Sequence, residues 1–278
     1  MPLDLVLLVL FAAALHATWN ALVKSGIDKQ LDAVMIALGA SVTAIVCLPF
    51  FPMPNAAAWP FIIASVCIHF TYYQLVGAAY RHGDIGLVYP LMRGVAPLIV
   101  ATTSGTVLGE HLSPVMFAGV MFICVGVLTM ALDFRHGHGK AIWVALANAV
   151  VISGYTYVDG IGARLAGNPI SYTIWISILP PIPLFGFAFF RRGVPPVLAH
   201  VRLTWRRGLF GGAGSIASYG LALFAMTRAP IAAIAALRET SIFFALIISI
   251  FILKEKASPW RYLAGALIAM GALTMKLG

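Results

Sequence analysis

Ten stretches of about twenty mostly apolar residues, each closed by a short polar break, leave this chain few ways to fold. They run over about 3–23, 32–51, 58–80, 86–108, 113–132, 141–159, 170–190, 208–227, 231–253 and 259–277. A helix crossing the hydrocarbon of a bilayer needs about 20 such residues. Hydrocarbon offers no water to unpaired backbone groups, so the spanning element is a helix or a closed barrel. Barrel strands are short and alternate apolar with polar residues, and these stretches do neither. The breaks carry the polar punctuation: Lys24-Ser25-Gly26, Arg81-His82-Gly83, Glu110-His111, Asp133 to Lys140, and Gly167-Asn168-Pro169. The expected fold is an all-α integral membrane protein with ten transmembrane helices.

Composition agrees. Of 278 residues, 61% are hydrophobic and 10% charged, against about 45–50% and about 25% in soluble domains. Such a chain cannot cover its surface with polar groups, which excludes secreted, cytosolic and disordered classes. The first stretch ends in small residues like a secretory signal, but Met1-Pro2-Leu3-Asp4 carries no positive charge, so a retained helix is expected. No extramembrane domain is expected on either side. The formal charge of +9 therefore reads as loops held on the cytoplasmic side, not as a nucleic-acid surface. Cys47, Cys67 and Cys124 all lie within apolar stretches and give neither a disulfide framework nor a zinc spacing.

The chain also repeats itself. A shift of 145 residues places Arg93 on Arg238, Ser104 on Ser249, Leu108 on Leu253 and Glu110 on Glu255. The same shift carries Ser113-Pro114 onto Ser258-Pro259, Ile123 onto Ile268, Gly126 onto Gly271, and Leu128-Thr129-Met130 onto Leu273-Thr274-Met275. One residue more places Tyr73 on Tyr219. Charged and proline coincidences are costly in apolar helices. Five helices per half is an odd number, so the halves, 1–134 and 140–278, are expected upside down to one another. Inverted repeats about an in-plane pseudo-twofold are a transporter architecture with the substrate site near the midplane.

These residues resemble the EamA-type, ten-helix branch of the drug/metabolite transporter superfamily. The resemblance covers nearly the whole chain. It is carried by Leu108-Gly-Glu110-His-Leu-Ser113-Pro114 and Leu253-Lys-Glu255-Lys-Ala-Ser258-Pro259, each followed by a Gly-containing helix, and by Trp19-Asn20 in the first helix. It implies secondary transport, mostly export, of small polar metabolites such as amino acids or related organic anions in an inner or plasma membrane, and no enzyme. Many relatives hold their termini in the cytoplasm. Here the side with both termini has Arg164, Arg228 and Lys276, three Lys or Arg, against thirteen opposite. That bias puts both termini outside.

Arg93 and Arg238 are the sharpest candidates, each about seven residues into an apolar helix. A charge near the bilayer centre costs about 2.5–3.5 kcal/mol on insertion scales and marks a cavity or a counter-ion. Either arginine is suited to grip a substrate carboxylate through its planar fork. The plain alternative is an ion pair with Glu239 that pins the halves together. Neighbours on a helix point about 100° apart, so Glu239 is better placed to meet Arg93 than Arg238. Glu239 reads as the one carboxylate well inside a helix. Polar stripes add further candidates: His16, Trp19 and Asn20 on one face; His69, Tyr73 and Tyr80; Tyr89 with Arg93; Asn148, Tyr155 and Asp159; Ser215 and Tyr219. Tyr80 and Asp159, near helix ends, read as interfacial or as packing contacts. The others are expected to line the interior or to pack there.

No cofactor or metal is expected, with proton coupling through Glu239 or a histidine left open. Asp133, His136 and His138 have a metal-like spacing in a Gly-rich connector, read as a solvated linker. An integral-membrane enzyme using that cluster or Glu239 is the alternative, as is a lipid-handling protein, which would lack a central polar cavity. The partners expected are a small-molecule substrate and the lipid bilayer. The glycine run Gly208, Gly211, Gly212, Gly214 suits close packing within the chain or with a second copy, so monomer and homodimer both stay open.

Overall fold

The structure, a computed structural model, describes residues 1–24, 28–133, 139–252, 254 and 256–278. Single crossings are made by α1 (Leu3–Lys24), α2 (Lys29–Cys47), α3 (Trp59–His82), α4 (Ile85–Leu108), α5 (Pro114–Thr129) and α6 (Gly139–Leu165). Two short helices, α7 (Pro169–Ile178) and α8 (Pro181–Arg192), share the seventh crossing, and α9 (Val194–Met226) makes the eighth. The ninth is split into α10 (Ile231–Arg238) and α11 (Thr240–Ile247), and α12 (Pro259–Leu277) is the tenth. Among the described residues nine segments are both long and apolar enough to cross a membrane. The tenth, α12, has the length at 19 residues, with Arg261 and Lys276 near its ends diluting its apolar character.

Local chemistry fixes where the helices start and stop. Ser113 caps α5 by accepting from the Met116 N–H, and Ser258 caps α12 by accepting from the Arg261 N–H, each with proline at the first helical position. The duplicated Ser-Pro is thus a helix start: the hydroxyl satisfies an orphan N–H, and proline has none to lose. The preceding helix ends match too. Gly109 closes α4 at φ +67°, and Lys254, its mate at +145, has φ +55°. A side chain in that left-handed region costs about 1–2 kcal/mol, so the repeated turn is kept even where glycine is absent.

The repeat closes on itself in the α5–α12 seam. A Cβ built on Gly119 would stand 3.0 Å from the Gly271 carbonyl oxygen, and one on Gly126 would stand 3.0 Å from that of Ala264. Adding 145 to one partner and subtracting it from the other turns the first contact into the second. The pairs Gly271–Ile123 and Gly126–Ile268 exchange in the same way, at 2.6 and 2.9 Å. Packing elsewhere follows suit: α3 lies on α6 as α9 lies on α1, and α4 lies on α6 as α10 and α11 lie on α1. Both termini share one end, with the Met1 amine 3.4 Å from the Met275 carbonyl. The seam of α2 and α9 departs from this pairing. There Gly39 and Gly208 bring the backbones together so tightly that a Cβ on Gly39 would fall 1.9 Å from the Gly208 oxygen.

Three boundaries differ from the sequence reading. The sixth crossing runs on to Leu165 instead of stopping at 159, and Gly160 and Gly162, just past that bound, are contact points for Ile231 and Tyr172. The α9 helix starts at Val194, and its 33 residues span about 50 Å, so its basic first turns extend past a hydrocarbon core of about 30 Å. The ninth crossing is broken at Glu239.

Candidate functional site

The break in the ninth crossing sets the site. Glu239 donates its N–H to Ala236 in place of an α-helical acceptor, and its own carbonyl accepts from Ile242. Arg238 thereby sits at the carboxyl end of α10 and Glu239 at the amino end of α11. Each charge has the sign that the adjacent helix dipole favours.

From α4, Arg93 reaches the break. Its Nε lies 2.8 Å from Glu239 Oε2, both side chains under a tenth exposed. Arg93 Nη2 has no hydrogen-bond acceptor among the described residues. Arg238 is placed differently: its guanidinium lies over the Tyr219 ring, 4.8 Å from the centroid, and among the described residues it makes no ion pair. The three charged groups share one small cavity of about 10 Å³ with Tyr155 and Thr156, room for about one water. The centre is therefore closed around its charges, and anything larger enters only when helices part.

Asp159 completes the charges. It is fully buried, its Oδ1 accepts from the Tyr172 hydroxyl at 3.0 Å, and its Oδ2 accepts from the Tyr219 hydroxyl. The expectation of an interfacial Asp159 is overturned, as is that of a single intrahelical carboxylate, because α6 continues past it. Asp159 shared a polar stripe with Tyr155 but was set apart as lying near a helix end, and Tyr172 did not stand among the expected site residues. The signal available was the shared face of Tyr155 and Asp159; Tyr172 gave none beyond its place in an apolar run. Gly162 admits the Tyr172 ring, since a Cβ there would lie 2.4 Å from it.

The other expected residues divide. His69 stacks on Tyr155 at 4.4 Å and lies 6.2 Å from Tyr219, while Tyr72 bridges Tyr155 and Tyr73. His16 and Tyr89 are within electrostatic reach of both arginines. Trp19 packs edge-on to His16 at 4.9 Å, its indole N–H buried and without a partner among the described residues. Asn20 donates back to the His16 carbonyl at 2.8 Å, a contact within its own helix. Asn148 donates to Met92 Sδ at 2.9 Å across the α4–α6 seam, and its Oδ1 is buried with no partner among the described residues.

Polar clusters also close the two ends. On the side of the termini, Glu110 pairs with Arg164 at 2.6 Å and accepts the Ile231 N–H at the start of α10. A hollow of about 310 Å³ lies beside it, between Thr102, Gly105, His111 and Phe117. It opens at the surface and holds none of the central charges. On the opposite side Arg192 binds Asp28 and Gln30, and His200 Nε2 lies 2.9 Å from Asp32 Oδ1. Partial burial pushes the Asp28 carboxyl up, but the Leu31 N–H, Arg192 and the Gln30 N–H outweigh it and hold it below its ordinary value. Asp133 binds Ser258 at 2.6 Å. His136 and His138 lie outside the described residues, as does Glu255. Among the described residues no three His, Cys, Asp or Glu side chains group to hold a metal.

The model of the EamA-like transporter family matches residues 139–277. A solved crystal structure of another protein superposes with a TM-score of 0.73 at 18% identity, covering 98% of this chain and 95% of that one, so the fold is shared. No curated protein matches the chain.

Proposed function

The chain belongs to the EamA-like transporter family, and on that premise we propose that it is a secondary exporter of a small polar metabolite, such as an amino acid or related organic anion. The halves 1–134 and 140–278 rock about the centre to give alternating access. One observation carries the substrate class: two opposite charges, Arg238 and Asp159, flank Tyr219 with no ion pair between them. Glu239 already holds Arg93, whereas Tyr219 stands between Arg238 and Asp159, its ring under the cation and its hydroxyl on the carboxylate. An open cation takes a carboxylate by charge-assisted hydrogen bonds, and an open carboxylate takes an ammonium. A zwitterion satisfies both at once.

The charge asymmetry of the loops supports a cell membrane placement with the thirteen-charge side in the cytoplasm and the termini outside. Export is the direction that family membership favours.

The test is flux in proteoliposomes with a panel of labelled amino acids and simple organic acids, under pH gradients of both signs. The proposal expects saturable flux of at least one compound with both a carboxylate and an amine, and weaker flux of its decarboxylated analogue. Folded protein that moves no member of the panel overturns it.

A further inference from the structure

The corner where α8 meets α9 carries five arginines, Arg191, Arg192, Arg202, Arg206 and Arg207, and from Phe190 to Phe210 there is no Asp or Glu. The transport reading uses none of these cations. The two carboxylates that reach the corner from α2 and its cap are already spent, Asp28 on Arg192 and Asp32 on His200.

The first turns of α9 are sorted by face. Val197, Thr204 and Gly208 are buried, and a Cβ on Gly208 would stand 2.8 Å from the Met35 carbonyl oxygen of α2. Leu198, Arg202, Arg206 and Phe210 are all exposed; residues four apart form one ridge on a helix. Arg206 lies over the Trp205 ring, 5.2 Å from its centroid. Contact with a ring face leaves the donors of the planar fork unspent.

Depth puts this ridge among lipid headgroups. The eighth apolar stretch begins at about 208. At about 1.5 Å per residue, Arg206 stands about 3 Å and Arg202 about 9 Å beyond it, and a headgroup layer is about 5–8 Å thick on each side. Exposed Trp205, Trp143 near the start of α6 and Tyr262 near the start of α12 supply the aromatic belt of the same interface. A soluble anion would use the arginines alone. The ridge also offers Phe210, one turn inward of Arg206 and 72% exposed, as a surface for an acyl chain. A charged head followed inward by an apolar tail is the layout of a phospholipid.

We propose that Arg202 and Arg206 bind the phosphate of an anionic phospholipid whose acyl chain runs along Phe210. The site lies on the outer face of α9 and does not depend on what the centre carries. Both α1 and α2 pack on α9, so a lipid that ties down its start steadies the fold.

The experiment places full-length protein in nanodiscs of phosphatidylcholine alone, or of phosphatidylcholine and phosphatidylglycerol in equal parts. The unfolding temperature is measured, and the phospholipid retained after transfer to detergent is identified by native mass spectrometry. Wild type is expected to unfold at a higher temperature in the mixed discs and to retain phosphatidylglycerol over phosphatidylcholine. The double variant Arg202→Gln, Arg206→Gln is expected to match wild type in phosphatidylcholine alone and to lose most of the gain in mixed discs. Its retention of phosphatidylglycerol is expected to fall about thirtyfold, about fivefold for each arginine. Arg81→Gln, Lys140→Gln removes the same charge from exposed positions on the same side and is expected to keep both the gain and the retention. Equal losses in the two double variants reduce the effect to diffuse surface charge and overturn the site. Equal stability of wild type in both discs overturns it too. Inorganic phosphate added to wild type in phosphatidylcholine discs is expected to give no rise; a rise as large as that from phosphatidylglycerol assigns the arginines to a soluble anion and overturns the lipid. If the Arg202, Arg206 pair does not fold, the single variants carry the test at about fivefold each, and unchanged retention in both overturns the proposal.

Discussion

Arg93 and Arg238 occupy equivalent positions in the two halves, yet the first is locked and the second is open. Glu239 holds Arg93 at 2.8 Å; Arg238 has an aromatic face. The cause lies one residue on. The residue after Arg238 is Glu239, whereas the residue after Arg93 is Gly94, where a Cβ would stand 2.8 Å from Leu128. Asp159 likewise corresponds to Ala14. The halves therefore share what packs (Gly119, Gly126, Gly271, the Ser-Pro caps, the left-handed turns) and differ in what carries charge. Duplication built the scaffold, and departures from duplication built the site.

The comparison breaks most visibly at Arg93. Arg93→Ala leaves Glu239 buried without its partner, which costs about 3–5 kcal/mol; thermal unfolding in detergent is expected to fall sharply. An Arg93→Met, Glu239→Leu double variant restores much of that stability, because an apolar pair of similar volume can replace a buried ion pair. Arg238→Ala is expected to unfold near the wild-type temperature while substrate affinity falls about ten- to a hundredfold, the loss of a charge-assisted bond of about 1.5–3 kcal/mol; binding titration checks it. If Arg238→Ala proves the less stable of the two, the locked and open assignments are reversed.

Smaller effects test the scaffold. Gly126→Ala and Gly271→Ala press a methyl onto backbone oxygens at 3.0 and 2.7 Å, an overpacking of about 1–3 kcal/mol each. As repeat mates they are expected to lower the unfolding temperature by similar amounts. Unequal losses would show that the seam is symmetric in sequence only. The smallest effect is that of pH on the Asp28–Arg192 contact. A carboxyl held below its ordinary value in the fold adds stability above the unfolded value of about 3.9, and that stability is lost as pH falls through the folded value. Unfolding profiles of wild type and Asp28→Asn are therefore expected to differ slightly at neutral pH and to converge below about pH 4.

The fold was open to reading because its signals are long: twenty-residue apolar runs and a 145-residue repeat survive errors of a few residues at any end. The site was read only in part. The geometry of adjacent residues on a helix was enough to bring Glu239 to Arg93. Asp159 was misplaced because the sixth stretch was ended at it, while in the fold Gly160 and Gly162 admit neighbouring side chains and the helix continues. Tyr172 had no periodicity to mark it, since its role comes from a contact between crossings. Asn148 and Asn20 stood out by polarity, and their side-chain N–H groups donate to Met92 Sδ and to a backbone carbonyl of the same helix. Polarity within an apolar run marks a constraint; only the third dimension separates packing from chemistry.

The most direct test of the open-arginine account is ligand-induced thermal stabilisation of purified protein by the proposed amino-acid or organic-anion substrate. At a ligand concentration about a hundred times Kd, binding stabilises the native state by about 2.7 kcal/mol, and wild type is expected to show the corresponding rise. Arg238→Ala is expected to match wild type without ligand and to lose most of that rise at the same concentration. A full ligand response in Arg238→Ala would show that the substrate never meets this arginine, and would contradict the account at its centre.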